Sequence, residues 1–390
     1  MSRLSRDLIA GRVWTIAAGM TPRTASAALL PLDEARVRLT AGIVPVATRK
    51  VPVWEAVGAV CAEDVLAQAD LPGMRVAARD GYAVDFIRMA GASPYAPVLL
   101  AQEPAWIEAG EPLPPGADTV LPPEALEAVS GRSQIVADAP EGDGTRAPGG
   151  ELRRGALVVR AGRRITELSA LALAAAGHGD VVVRAPRIAL LATGPEGPAR
   201  AVSHMLAKIL TRAGAASADV ASVPDDSATI GEALSSAAAD AVFMVGGTGF
   251  GRTDLSAAAL TRAGTLAAHG IALRPCETAG FGEVGGRPVL MLPGRPEAAL
   301  AACLGLGRPL LDALSGAEPA PLSRAPLLRK ISSVIGLSEI VFVRRVSDGL
   351  EPLGSAELPL HRLLQVDEAV LVPPDREGYP EGMPVSWMPL

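Results

Sequence analysis

Between Pro186 and Gly316 two residue periods alternate along the chain, and that alternation leaves few folds open. RIALLATG (187–194), DVASV (219–223), AVFMVGG (241–247) and RPVLMLPG (287–294) are short apolar runs, three of them closed by glycine. Runs of this length without polar alternation read as strands covered on both faces. Between them SHMLAKILTRAG (203–214), the stretch 226–239, the stretch 253–262 and RPEAALAACLGLG (295–307) carry helical spacing. IAL (271–273) reads as one more short strand. Strands alternating with helices in this way predict a parallel, doubly wound sheet over 186–316. Such sheets bind ligands beyond the carboxyl ends of their strands. Those ends are Thr193-Gly194, Asp225-Asp226, Gly246-Gly247 and Pro293-Gly294.

The rest of the chain is built of shorter pieces. PLDEARVRLTAGI sets Leu32, Ala35, Leu39 and Ile43 on one helical face. VPVWEAVGAVCAEDV predicts a short strand followed by a helix, and LPGMRVAARDGYAV a turn-rich loop entering a strand. Short strands broken by EPLPPGAD and LPPEA occupy 96–136, and DAPEGDGTRAPGG (138–150) is a polar boundary. RITELSALALAAAG predicts a helix capped by Thr166 and stopped by Gly177. The segments IVFVRRV, EAVLVPP and MPVSWMPL predict a small β barrel or sandwich at the C-terminal end. The fold class is therefore α/β and multidomain, with β-rich companions.

Several function classes are excluded. The net charge is −6 and aromatic residues are 3% of the chain, so neither a basic surface nor a stacking platform for nucleic acid is expected. No uncharged apolar run reaches the ~18 residues of a membrane helix. Arg12 interrupts the apolar stretch before Pro22, so no signal peptide is expected. Cys61, Cys276 and Cys303 are far apart and suit a reducing cytoplasm. His178, His204, His269 and His361 lack metal-ligand spacing and read as surface or core residues.

Five pieces of the sequence carry chemistry. MVGGTGFGRTD (244–254) places Gly246, Gly247, Gly249 and Gly251 between a strand and a helix, where backbone N–H groups can approach an anion. Asp254 falls in the expected first helical turn and could cap it. MLPGRPEAAL (291–300) gives a second such turn, with Pro296 opening its helix and Arg295 able to pair with phosphate. VPDDSA (223–228) sets two adjacent carboxylates at a strand end, which suits either a divalent cation or a helix N-cap. Glu196 and Asp80 stand at two further turns.

In this order the pieces resemble those of the molybdopterin molybdenumtransferases, the family that includes the gephyrin E domain. DGYAV (80–84), GEPLPPGADTV (110–120), GGELRRGALVVRAGRRIT (149–166), VPDD, GGTGFGRTD and LPGRP carry the resemblance, over about 28–390. It implies a leader (1–27), a discontinuous domain I (28–70 with 149–185), a β-rich domain II (71–148), a molybdopterin-binding domain III (186–316) and a C-terminal β domain IV (317–390). It also implies an elongated homodimer that inserts molybdate into adenylylated molybdopterin with Mg²⁺ and serves a client molybdoenzyme. Asp80, Glu196 and Asp254 match catalytic positions, and Asp225 with Asp254 a metal site. Gly246, Gly247, Arg274, Pro293, Gly294, Arg295 and Pro296 match the binding turns.

The sequence departs from the family pattern at RPCET (274–278), where Glu277 replaces a lysine, and at Arg295, Gly249, Pro195, Val202 and Ala109. A reversed charge beside an oxyanion opposes capture, so Glu277 and Gly249 leave a second reading open. That reading is a catalytically impaired molybdopterin carrier or a dimeric scaffold.

Overall fold

Aliphatic and β-branched residues favour strands where both sheet faces are covered, and the runs 187–193, 241–245 and 287–292 are buried accordingly. The run 217–223, at the edge of its sheet, is instead mostly exposed or half-buried, which corrects the expectation for DVASV. The computed structural model describes residues 29–129, 131–194, 198–249 and 254–390. In chain order the α/β unit contains β1 (Arg187–Thr193), α1 (Pro198–Arg212), β2 (Ser217–Val223), α2 (Ser227–Ser236), β3 (Ala241–Val245) and α3 (Ser256–Ala263). It continues with β4 (Thr265–His269), β5 (Gly280–Val284), β6 (Arg287–Leu292), α4 (Pro296–Ala302) and α5 (Arg308–Ser315). The spatial order is β2-β1-β3-β6-β5-β4.

This sheet is mixed, which corrects the fully parallel expectation. β2, β1, β3 and β6 are parallel, whereas β5 pairs antiparallel with β6 and β4 pairs antiparallel with β5. The reason is local. Gly285 and Gly286 have φ of 60° and 75°, the left-handed geometry of a two-residue hairpin turn, and they fold β5 back onto β6. IAL does not join the sheet either. The strand Ile271–Arg274 pairs in parallel with Leu30–Pro31 and with Ser338–Val346. These strands, with Gly349–Gly354, Glu368–Val372 and Met388–Pro389, form an open six-stranded sheet. Two short ladders, Arg324–Pro326 with Pro384–Ser386 and Ile331–Ser332 with Gly378–Tyr379, accompany it. Of the expected barrel or sandwich, the barrel is not formed, because this strand path does not close.

The largest core joins Leu32, Ala35 and Leu39 to β1, β3, β6, α1, α4, α5 and the C-terminal sheet. Between α4 and α5 a π turn spans Cys303–Gly307. Pro309 has no N–H, so the Gly305 carbonyl loses its helical donor. Arg36 Nε donates to that carbonyl at 2.8 Å. The N-terminal helix Leu32–Thr40 is thereby fastened to the α4–α5 run. That run is apolar and long, but 78% of its most apolar window is buried within the protein, as for a core helix.

A second core holds Val53, Ala56, Cys61, Val159, Ile165, Leu173 and Val183 together. Thr166 caps the helix Glu167–Ala175 by accepting from the Ser169 N–H, as expected. VPVWEAV departs from expectation. Its helix is one 3-10 turn, Val53–Ala56, because the chain must return to pair Val60–Cys61 with Asp180–Arg184. The remaining β-rich unit carries the sheet Ala105–Ile107, Gly81–Val84, Thr119–Leu121. Gly81 lies within its central strand rather than in a turn. A Cβ there would come within 2.0 Å of the Leu121 carbonyl oxygen.

Candidate anion-binding site at the strand ends

In the order β2-β1-β3 the chain winds outward in both directions from the β1/β3 gap, so the crevice of the sheet opens there. Its walls are Thr193 at the end of β1 and Gly246 at the end of β3. Gly246 and Gly247 have φ of 99° and 60°, a region costly for residues with a Cβ. A Cβ on Gly246 would stand 2.9 Å from the Thr193 carbonyl oxygen. A Cβ on Gly294 would lie 3.5 Å from Gly246 Cα, so the turns after β3 and β6 are neighbours.

The loop after β3 is tied down on all sides. Thr193 Oγ1 donates to the Val245 carbonyl at 3.3 Å. The buried Ser256 hydroxyl donates to the Gly246 carbonyl at 2.9 Å, and its N–H to the Gly247 carbonyl at 3.1 Å. The Thr248 and Thr278 hydroxyls share a hydrogen bond at 3.2 Å, and His269 Nε2 meets the Thr248 carbonyl at 2.9 Å. Sequence reasoning marked Thr193 as a strand end but missed Ser256, His269 and Thr278 as supports of the loop. Ser256 follows the glycine loop by a few residues, and nothing in the local pattern marks His269 or Thr278. His269 is half-buried and engaged with the loop, which refines the surface-or-core reading.

The three acidic residues divide their work. Asp226 caps α2, its carboxylate accepting from the Thr229 N–H and hydroxyl at 2.8 Å each, and these bonds hold its pKa below the ordinary value. Asp225 makes the other use of its charge. Partial burial and then the Asp254 carboxylate push its pKa up. Helix α3 begins at Ser256, later than expected, with no side-chain cap, so Asp254 lies outside its first turn. Instead the Asp254 carboxylate lies against Gly249, where a Cβ would come within 2.7 Å of its oxygen. The family serine at 249 is thus replaced by room for this carboxylate.

The expected cations are already partnered. Arg295 sits 3.6 Å from the buried Glu297, and Arg274 sits 3.9 Å from the buried Glu339. Glu339 also accepts from the Ser333 and Ser355 hydroxyls. Pro296 opens α4 as expected, with Pro293 buried and Gly294 half-buried before it. Glu277 is half-buried, and its carbonyl accepts from Ile271 N–H at 3.1 Å. Asp80 lies on the β-rich unit, where it accepts from the Ala109 N–H at 2.8 Å. Glu196 lies outside the described residues, as do Phe250 to Thr253 of the glycine loop. Among the described residues no three His, Cys, Asp or Glu side chains gather as a metal cluster.

A mixed α/β sheet with glycine backbone at its switch point has the architecture of an anion- or nucleotide-binding domain. Known proteins sharpen this class. Residues 30–177 match the MoeA N-terminal region (domain I and II), and residues 199–313 match a probable molybdopterin binding domain. The chain is 32% identical over 288 residues to "Molybdopterin molybdenumtransferase 2" of Mycobacterium tuberculosis (strain ATCC 25618 / H37Rv), covering 64% of this chain and 71% of that one. It is 28% identical over 355 residues to "Molybdopterin molybdenumtransferase 1" of the same strain, covering 79% and 83%. A crystal structure of the molybdopterin biosynthesis moeA protein from Pyrococcus horikoshii OT3 superposes with a TM-score of 0.73 at 25% identity, over 93% of this chain and 100% of that one. The chain belongs to the molybdopterin molybdenumtransferase family, a family of molybdenum cofactor biosynthesis.

Proposed function

We propose that this protein inserts molybdate into adenylylated molybdopterin in a Mg²⁺-assisted reaction at the β1/β3 crevice. The observation that carries this reading is the Asp225–Asp254 pair facing the glycine loop. Asp225, whose ionisation is opposed first by partial burial and then by the Asp254 carboxylate, would be relieved by a cation. Mg²⁺ takes hard oxygen ligands and commonly uses one or two carboxylates together with substrate phosphates, so the donor set fits. Asp225 and Asp254 would hold it, and the ion would offset phosphate charge in the crevice.

The chain's own groups supply the rest. The backbone donors of the 246–249 and 293–296 turns bind and orient the phosphate end of the pterin without needing a charged side chain. Arg274 and Arg295 contribute positive potential already moderated by Glu339 and Glu297. We propose Asp80 and Glu196 as acid–base groups of the reaction, with Asp80 contributed by the second subunit of a homodimer. A cytoplasmic setting and delivery of the product to a client molybdoenzyme complete the proposal.

Reconstitution of an apo-molybdoenzyme with molybdopterin-AMP, molybdate and Mg²⁺ tests this reading. Wild-type protein is expected to support insertion, and Asp254→Asn to raise the Mg²⁺ requirement about 10- to 100-fold, the usual cost of disturbing a metal's ligand set. Its melting temperature should stay within a few degrees of wild type. A variant that only destabilises the fold, with an unchanged Mg²⁺ requirement, would return Asp254 to a structural role.

A further inference from the structure

The glycine loop is held from the side by a residue outside every motif. His269 ends β4, the edge strand of the sheet, and its Nε2 lies 2.9 Å from the Thr248 carbonyl oxygen. A carbonyl only accepts, so Nε2 must carry the proton in this contact. The Thr248 side chain is buried at 2% exposure and shares a hydrogen bond with Thr278. Both polar ends of Thr248 are therefore fixed by residues some twenty to thirty positions further along the chain.

The consequence follows from peptide geometry. The cis bonds among the described residues are Leu71–Pro72 and Arg274–Pro275, so the Thr248–Gly249 peptide is trans. In a trans peptide the C=O and the following N–H point in opposite directions. Holding the Thr248 carbonyl toward His269 at the end of β4 turns the Gly249 N–H away from that strand. Without the brace that peptide could flip and present a carbonyl oxygen, which repels an anion.

We infer that His269 is a positioning residue for the anion-binding loop, acting through the Thr248 carbonyl to aim the Gly249 N–H into the crevice. Thr278 supports it by holding the side chain of the same residue. The inference rests on the function proposed above, since only an anionic ligand draws benefit from that N–H.

The experiment compares His269→Gln, which keeps a side-chain N–H donor, with His269→Leu, which removes it, in the full-length protein. Hydrogen exchange of the peptide containing residues 246–249 reads the brace directly. His269→Leu is expected to exchange several-fold faster there, and His269→Gln to remain near wild type. In the insertion assay, His269→Leu should raise KM for molybdopterin-AMP about tenfold with kcat within about twofold, the pattern of a lost binding interaction, and His269→Gln should restore it. Thr278→Val should give the same change in smaller degree. Wild-type exchange in His269→Leu would overturn the inference, as would failure of the Gln variant to rescue. Faster exchange with unchanged KM would overturn the positioning role while leaving the proposed reaction standing. If wild-type protein failed to insert molybdenum, the reaction would fall, and exchange alone would decide whether the brace exists.

Discussion

Two glycine turns meet in the crevice, and they are built by different means. The turn after β6 assembles itself. Pro296 starts α4, and the Ala299 N–H returns to the Arg295 carbonyl at 2.8 Å. The turn after β3 is held by residues from four other places: Thr193, Ser256, His269 and Thr278. The first needs only its own letters, so its backbone donors form wherever the sequence folds into strand and helix. The second is a tertiary construction, and its competence depends on how the antiparallel edge of the sheet is docked. Similar motif letters thus stand for unequal amounts of structure.

Alanine at the two glycines separates these cases most sharply. Gly246→Ala forces a Cβ into left-handed backbone and against the Thr193 carbonyl, 2.9 Å away. Strain plus overpacking should cost about 2–4 kcal/mol of stability. Gly294→Ala meets only ordinary contact, 3.5 Å from Gly246 Cα. It should stay within about 1 kcal/mol of wild type. Denaturant unfolding of the two variants measures this, and equal losses would erase the distinction.

Much of this architecture is legible in the sequence. The runs at β1, β3 and β6 declare themselves by length and apolarity, the Thr166 cap by its hydroxyl, and the strand-end glycines by position. The antiparallel edge was also written there, since VGGRP carries the paired glycines of a tight hairpin, but the alternating pattern around it favoured a parallel reading. Other features leave no local mark. That Asp226 caps α2 while Asp225 faces Asp254 depends on where α3 starts, and adjacency in sequence treats both aspartates alike. That Arg274 and Arg295 are partnered depends on Glu339, in a different sheet, and on the burial of Glu297. Departures from the family pattern read as isolated losses in sequence, yet Gly249 proves to be matched to Asp254.

That match predicts a smaller effect. Gly249→Ser restores the family residue but places a Cβ within 2.7 Å of an Asp254 oxygen. The end of a carboxylate can swing aside, so stability should change by less than about 0.5 kcal/mol, in the range of an ordinary surface substitution. The displaced carboxylate should nonetheless weaken Mg²⁺-dependent binding by several-fold. Titration of Mg²⁺ into the variant, read by ligand binding, checks this. Unchanged affinity would mean that the loop after β3 does not set the position of Asp254, and the contrast with the self-contained turn would weaken.

The smallest expected effect tests whether the crevice stores charge repulsion. Asp225 has its pKa raised in the fold, first by burial and then by Asp254. A carboxyl whose folded pKa lies above its unfolded value favours the native state when protonated. Its contribution is present below the unfolded pKa and is lost as pH rises through the folded one. At neutral pH and without Mg²⁺, ionised Asp225 therefore opposes folding, and Asp225→Asn should slightly stabilise the protein. The residue is largely exposed and screened by solvent, so the gain should be at most about 0.5 kcal/mol. It should shrink toward zero as the pH falls into the carboxylate range, and added Mg²⁺ should stabilise wild type but not the variant. Thermal unfolding with and without Mg²⁺ at two pH values measures both. A variant less stable than wild type at neutral pH without metal would show that Asp225 holds the turn after β2 by hydrogen bonding, with no repulsion for a cation to relieve.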